Sequence, residues 1–161
     1  MNKVFVPDAS PLILLEKAGL LTEVSPLAQS WLLAEGVIAE IECQRPIEHF
    51  LDDLGKNAEV LRQRVEYVSP LVAGWDLGRG ESDVLTLAMS FPSAWAVLDD
   101  LQARKCAKIL DIPFTGTLGL LLMAKKAGYI NTVRPHVENL IAVGLHIDVT
   151  TLNRIYKRIG E

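Results

Sequence analysis

Two aspartates stand where the sequence predicts the ends of buried strands, and carboxylates at such places can carry chemistry. Asp8 follows the β-rich run Lys3–Val6, and Asp99 follows the apolar run Trp95–Leu98. In an open parallel sheet, ligands bind beyond the carboxyl ends of the strands. We therefore expect Asp8 and Asp99 to face the same edge of the sheet.

Two glutamates are candidates for the same edge. Glu81 begins a predicted helix directly after the turn Gly78–Gly80, and Glu40 lies on a helical segment that follows the second strand. A helix that leaves the functional edge can turn its first residues toward a site there. The four acids would then form one cluster in the folded chain.

Each acid taken alone has a simpler interpretation. Asp8 could be a turn residue, Glu81 could interact with the dipole of its helix, and Glu40 could be a solvated surface residue. Asp99 or its neighbour Asp100 could cap the helix that follows. The joint pattern favours a site, because two strand-end acids and one helix-start acid converge by geometry.

A cluster of carboxylates points to a divalent metal ion. Carboxylates that share a site repel one another, so some must take up protons or a cation must neutralise them. Mg²⁺ and Mn²⁺ prefer oxygen ligands, and such ions can polarise a phosphate and activate water. The sequence has neither a GxxxxGK[ST] phosphate loop nor a GxSxG nucleophile motif, and its three histidines lack zinc spacing. These features favour metal-assisted phosphodiester hydrolysis.

The elements that must position the acids are short strands alternating with helices. A parallel sheet covered by helices on both faces fits this pattern, since the strands are apolar on both sides. Ser10 followed by Pro11 is a helix-start signal, with the serine as N-cap. No linker or repeat interrupts residues 1–161, which predicts one domain. The predicted strands are Lys3–Val6, Trp31–Leu33, Val65–Val68, Trp95–Leu98 and Ile112–Phe114.

Composition and charge leave several classes of partner open. Half of the residues are hydrophobic and the formal net charge is −4, so RNA binding would need a local basic face or bridging metal ions. The stretch from Leu101 to Arg134 is locally basic, and Arg79 stands beside Glu81; both could contact phosphates or simply be solvated or paired cations. The first ten residues are not typical of a signal peptide. We expect a soluble, cytoplasmic protein without a membrane partner.

Four segments, in order along the chain, carry a resemblance to a known family. They are VFVPDASPLILLEKAGLL, VIAEIE, LGRGESDVLTLA and AVLDDLQARKCAKILDIPFTGTLGLLLMAKKAGYI, which together reach from Val4 to Ile130. The sequence resembles the PIN-domain nucleases, in particular the VapC-like toxins of toxin–antitoxin pairs. The last thirty or so residues carry no motif that maps onto the family.

The resemblance implies a three-layer α/β/α sandwich around a mainly parallel sheet. It also implies ribonuclease activity that depends on Mg²⁺ or Mn²⁺. Members of the family are usually homodimers, and an antitoxin protein would inhibit the enzyme. Within this family pattern, the catalytic acids match Asp8, Glu40, Glu81 and Asp99, of which Asp8, Glu81 and Asp99 would bind metal. Three further residues could support them: Ser10, Asp100 and Thr115.

The last acid of the family pattern has two candidates, Asp99 and Asp100. Asp99 is favoured because Ala103 and Ala107 then fall at the expected helical distance after it. Asp83 is a weaker candidate near Glu81, since a position two residues onward points to another helix face.

Other functions remain open from the residues alone. One is a metal-dependent phosphohydrolase of small phosphate esters, although Ser10 stands where the haloacid-dehalogenase type has its second aspartate. Another is a non-catalytic binding module with a PIN-like fold. The leading prediction is an RNA endonuclease, the toxin of a toxin–antitoxin pair.

Overall fold

The computed structural model describes residues 3–161 of the chain, and its centre is a five-stranded sheet in which every strand pairing is parallel. The strand order is β3-β2-β1-β4-β5. The strands are β1 Val4–Pro7, β2 Ser30–Ala34, β3 Glu59–Gln63, β4 Ala94–Val97 and β5 Phe114–Thr115. The sheet was predicted as mainly parallel, and this is confirmed.

Helices connect the strands and enclose the sheet. α3 and α6 pack together, and α6 also packs on β1, β2 and β4, while α1, α2 and α8 pack with one another. The three-layer α/β/α fold is thereby confirmed. The helices are α1 Ala9–Lys17, α2 Leu21–Val24, α3 Glu35–Glu42, α4 Glu48–Leu54, α5 Pro70–Ala73, α6 Arg79–Ser90, α7 Leu101–Ile109, α8 Thr117–Ala127, α9 Arg134–Ala142 and α10 Val149–Ile159, with a 3-10 turn at Ser25–Leu27.

The core lies where the central strands meet these helices. β1 and β2 supply Phe5 and Trp31, both fully buried, whose ring centroids lie 5.1 Å apart. Aromatic and β-branched side chains suit strands that are covered on both faces. As predicted, β1, β2 and β4 are apolar and largely buried. The segments that follow these strands lie at one edge of the sheet.

The third strand was predicted in the wrong place. Val65–Val68 is not a strand; β3 is formed by Glu59–Gln63, which pairs along its whole length with β2. Its side chains are mostly exposed because it is an edge strand, so it lacks the apolar signal on which the prediction relied. Val65 and Val68 pack partly buried against the core from a loop instead.

The first helix begins two residues earlier than predicted. Asp8 is extended and occupies the N-cap position, so Ser10 lies inside the first turn of α1 and does not cap it. Pro11 is then the third helical residue, where its missing N–H still costs no helical bond. The shift turns Ser10 from a capping residue into one that is exposed at the sheet edge.

Candidate active site

The carboxyl edge of the sheet brings four acidic residues to one cavity of about 380 Å³. They are Asp8 after β1, Glu81 in the first turn of α6, and the neighbours Asp99 and Asp100 between β4 and α7. Ser10 lines the same cavity, and its hydroxyl forms no hydrogen bond within residues 3–161. The expected convergence of Asp8, Glu81 and Asp99 is present in the fold.

Asp8 has the most unusual environment of the acids. Its residue is 5% exposed, and its Oδ1 atom is buried without a hydrogen-bond partner in the described part of the chain. Burial, together with the charges of Glu81, Glu40 and Asp100, raises the pKa of Asp8 to about 7, against the lowering effect of a hydrogen bond with the backbone of Ala9. A carboxyl in this state attracts either a proton or a cation.

Glu40 reaches the cluster from the adjoining helix α3. It lines a neighbouring cavity of about 340 Å³ together with Glu81. Although the residue is exposed overall, its carboxyl end lies against Gly80. Desolvation there, followed by the charge of Glu81, raises the pKa of Glu40.

Gly80 is the contact point between two of the acids. A Cβ atom on Gly80 would stand 2.7 Å from Glu40 Oε2 and 3.1 Å from Asp8 Oδ1. Because Gly80 has no side chain, the carboxylates of Glu40 on α3 and of Asp8 after β1 can both lie against its backbone. The glycine of the sequence turn has a packing role that spacing alone did not reveal.

Asp99 and Asp100 have different hydrogen-bond partners. Asp99 accepts from the backbone N–H of Thr117 at 2.9 Å and from its hydroxyl at 2.5 Å, which ties the end of β4 to the start of α8. Asp100 caps α7 by accepting from the N–H of Ala103 at 2.9 Å. Of the two, Asp100 contributes to the raised pKa of Asp8, whereas Asp99 is held by Thr117.

Two residues expected near the site lie elsewhere. Thr115 is buried in β5 with its hydroxyl against Gly119, and it does not line the acid cavity. Asp83 is buried near Arg79, whose Nε lies 4.0 Å from its carboxylate, and accepts from the backbone of Gly36. Asp83, the weaker candidate, thus contacts the first turn of α3 and does not line the acid cavity.

The locally basic half of the sequence is divided by the fold. Lys125 pairs with Glu161 at 2.6 Å, and Arg134 donates to the backbone oxygen of Glu161 while lying over the ring of Tyr156. These two cations hold the C-terminal helix rather than facing the acids. Arg104 is different and lines a cavity beside Asp99.

His146 is a residue of the site edge that the sequence did not indicate. It lines the acid cavity together with Gly144 and Leu145. This stretch lies beyond all the recognisable motifs, so no sequence signal pointed to it. The C-terminal segment therefore contributes to the walls of the site.

The arrangement is compatible with a divalent metal ion held with the help of water. No three carboxylate, imidazole or thiol groups within residues 3–161 converge closely enough to form a complete cage. Mg²⁺ is usually bound through one or two carboxylates and retains several waters. The unpartnered Oδ1 of Asp8 and the acids around it fit that manner of binding.

Comparison with known proteins gives the family. A family model described as a PIN domain matches residues 4–161. The chain belongs to the PIN-domain family. PIN domains are nuclease-type domains that in general use divalent metal ions. No curated protein matches the chain.

The match also extends beyond the segments that carry the resemblance. It includes the last thirty residues, for which the sequence alone offered no motif. In the part of the PIN domain that the structure describes, no helix has the length and apolar character needed to cross a bilayer.

Proposed function

We propose that this PIN domain is a metal-dependent endoribonuclease that hydrolyses RNA phosphodiester bonds at the acid cavity. The observation that carries the proposal is the environment of Asp8. Its buried Oδ1 accepts no hydrogen bond in the described part of the chain, and the charges of neighbouring carboxylates surround it. Such an environment is costly without a cation. A bound Mg²⁺ or Mn²⁺ would polarise the scissile phosphate and neutralise the charge that develops on it.

In this proposal the chain's own residues divide the work. Asp8, Glu81 and Asp99 would bind the metal ion, one or two of them directly and the rest through its water ligands. The hydrogen bonds from Thr117 keep the Asp99 carboxylate in a fixed orientation. Glu40, whose pKa is raised beside Glu81, is suited to take a proton from the attacking water. The free hydroxyl of Ser10 can donate to a water or phosphate oxygen in the cavity.

Asp100 has a supporting role. Its Oδ2 is occupied by the cap of α7, while its charge adds to the negative potential at Asp8. We keep Asp99 as the fourth acid because Ala103 and Ala107 follow it at the expected helical distance. Each of its oxygens accepts one hydrogen bond from Thr117 and retains a lone pair for a water or an ion. Thr115 has no catalytic role in this proposal, since it does not line the cavity.

The experiment uses a mixed single-stranded RNA pool with Mn²⁺, with and without EDTA. Wild type should cleave only with metal, and Asp8→Asn should reduce cleavage by at least about a hundredfold. Asp52→Asn is the matched control because Asp52 is exposed in α4, away from the acid cavity. Hydrolysis of a generic phosphate ester without RNA cleavage would show that the protein is a phosphohydrolase and not a nuclease. Cleavage that persists in Asp8→Asn would contradict the proposed site.

We also propose that the protein is the toxin of a toxin–antitoxin pair. Support comes from the resemblance of its four motif segments to VapC-like toxins. Induced expression should arrest growth of the host cell, and co-expression of the protein encoded beside it should restore growth. Growth arrest that is equal for wild type and Asp8→Asn would separate toxicity from nuclease activity and contradict this role.

A homodimer and a cytoplasmic location complete the proposal. Both rest on the family resemblance, and light scattering of the purified protein tests the first. A molar mass near twice 17.7 kDa is expected. A mass of one chain across the micromolar range would contradict it.

A further inference from the structure

A second cavity lies beside the acid cavity, and it is not used by the proposed chemistry. It has a volume of about 710 Å³ and is formed by α7, α8 and the segment from Leu145 to Ile155. The two cavities share Asp99, Leu145 and His146 as lining residues. A polymer whose phosphate lies at the acids can therefore place its next unit in the larger cavity.

Arg104 is the one arginine or lysine that lines this cavity in the described chain. Its side chain forms no ion pair or hydrogen bond within residues 3–161, and its Nε atom is buried. A guanidinium with a buried, unbonded N–H is costly unless a ligand supplies an acceptor. The planar donors of arginine suit the oxygens of a phosphate.

The surroundings of Arg104 hold it in place for such a ligand. Its guanidinium carbon lies 5.3 Å from the centroid of the Phe114 ring. A Cβ atom on Gly116 would stand 2.9 Å from Arg104 Nη2 and 2.7 Å from Asp99 Oδ1. The absence of a side chain at Gly116 thus leaves room for both the cation and the neighbouring acid at the boundary of the two cavities.

Half of the other lining residues are aliphatic, and the walls also include Asp148, whose carboxylate accepts from the N–H and the hydroxyl of Thr151. Leu101 is 71% exposed although it borders the cavity, which leaves an apolar side chain in contact with water. An unpaired base offers two apolar faces that can replace this water. The volume lies within the range of small-ligand sites, on the order of 300–1,000 Å³. The other aliphatic lining residues are Leu118, Leu122, Leu145, Ile147 and Ile155.

We propose that this cavity is a nucleotide subsite of the nuclease, which takes one unpaired nucleotide adjoining the scissile bond and binds its phosphate through Arg104. The inference rests on the proposed ribonuclease function. It favours RNA over a protein segment as the occupant because the unpaired guanidinium lies next to the acids, where a strand held at the active site has its next phosphate. Arg104 is then a substrate-binding residue.

Binding in EDTA tests the subsite without cleavage. Fluorescence anisotropy would compare a labelled ten-nucleotide single-stranded RNA on wild type, Arg104→Gln and Arg104→Lys. We expect Arg104→Gln to weaken binding about tenfold, with partial rescue by lysine. Arg64→Gln is the matched control, since Arg64 is exposed beyond β3 at the opposite sheet edge and should change binding less than twofold.

A second variant tests the cavity itself. Ile155→Trp places a larger side chain in the cavity wall and should weaken RNA binding about fivefold or more, while thermal unfolding confirms that the variant is folded. With Mn²⁺, Arg104→Gln should raise KM about tenfold and leave kcat within about threefold. Unchanged binding and KM in both variants would overturn the subsite.

The outcomes also separate this inference from the proposed function. If wild type cleaves RNA but both variants behave as wild type, the subsite is wrong and the nuclease stands. If wild type cleaves no RNA yet binds it through Arg104, the subsite stands and the nuclease is wrong. If the variants lose only the binding of a partner protein or a second copy, the cavity is a protein-docking surface and the nucleotide subsite is overturned.

Discussion

Replacing Asp8 by asparagine should stabilise the metal-free protein at neutral and alkaline pH while it removes activity. The pKa of Asp8 is raised from 3.8 to about 7. The folded state therefore keeps a proton that the unfolded state releases, and stability falls as pH rises from about 4 to about 7. Above that range the ionised carboxylate is buried at full cost.

The magnitude follows from the difference between the two pKa values. That difference corresponds to about 4 kcal/mol, since one pKa unit is worth about 1.36 kcal/mol. Asparagine has nearly the same shape, stays neutral, and keeps an oxygen that can accept from the backbone of Ala9. Asp8→Asn should thus raise the free energy of unfolding by up to about 4 kcal/mol at pH 8 and by little at pH 4. The corresponding rise in Tm is on the order of 10 °C.

The assay is urea denaturation in EDTA at several values between pH 4.5 and pH 8, with Asp52→Asn as control. The stabilisation by Asp8→Asn should grow with pH, whereas the control should shift the midpoint little at any pH. Added Mn²⁺ should raise the midpoint of wild type more than that of the variant. Equal midpoints of wild type and variant at pH 8, or a difference that does not change with pH, would refute the electrostatic reasoning.

Three further changes test particular contacts. Gly80→Ala should lower cleavage at least tenfold, because the new Cβ would press on the carboxylates of Glu40 and Asp8. The free energy of unfolding should change by no more than about 1 kcal/mol, since alanine favours the helix. Cleavage assays and urea midpoints measure the two effects. Thr117→Val should cost about 1–2 kcal/mol in urea denaturation, because it removes the hydroxyl of a buried residue that donates to the half-buried carboxylate of Asp99. In the folded state the hydrogen bond from Lys125 lowers the pKa of Glu161 to about 2, so wild type loses stability as pH falls from about 4.5 to about 2. Glu161→Gln should lack this pH-dependent stabilisation. Acid titration followed by circular dichroism measures the difference.

The sequence predicts the central part of this fold well because its signals there are local. Apolar runs identify β1, β2 and β4, which are buried by helices on both faces. β3 escapes prediction because an edge strand pairs through its backbone and exposes its side chains, so its sequence Glu59–Gln63 has no apolar pattern. The apolar residues Val65 and Val68 are a false signal, since they pack on the core without pairing.

The acids of the candidate site could be predicted from strand-end positions, but their separate environments could not. Nothing local in the sequence distinguishes Asp99 from Asp100. In the fold, only Asp99 accepts hydrogen bonds from Thr117, which begins α8 after the neighbouring strand β5. The place of Arg104 beside Gly116 is likewise a product of tertiary packing. His146 lies in a segment without motifs, so only the fold brings it to the acids.

The strand order also affects when the active site can form during synthesis. β1 is made first but lies in the middle of the sheet, with Val4 paired to Ala94. Contacts so distant in the chain form late and slow the folding reaction. Because domains are synthesised from the N-terminus, a nascent chain displays Asp8 long before β4 and α8 can enclose it. If the proposed nuclease function holds, phosphodiester cleavage should begin only after most of this domain has left the ribosome.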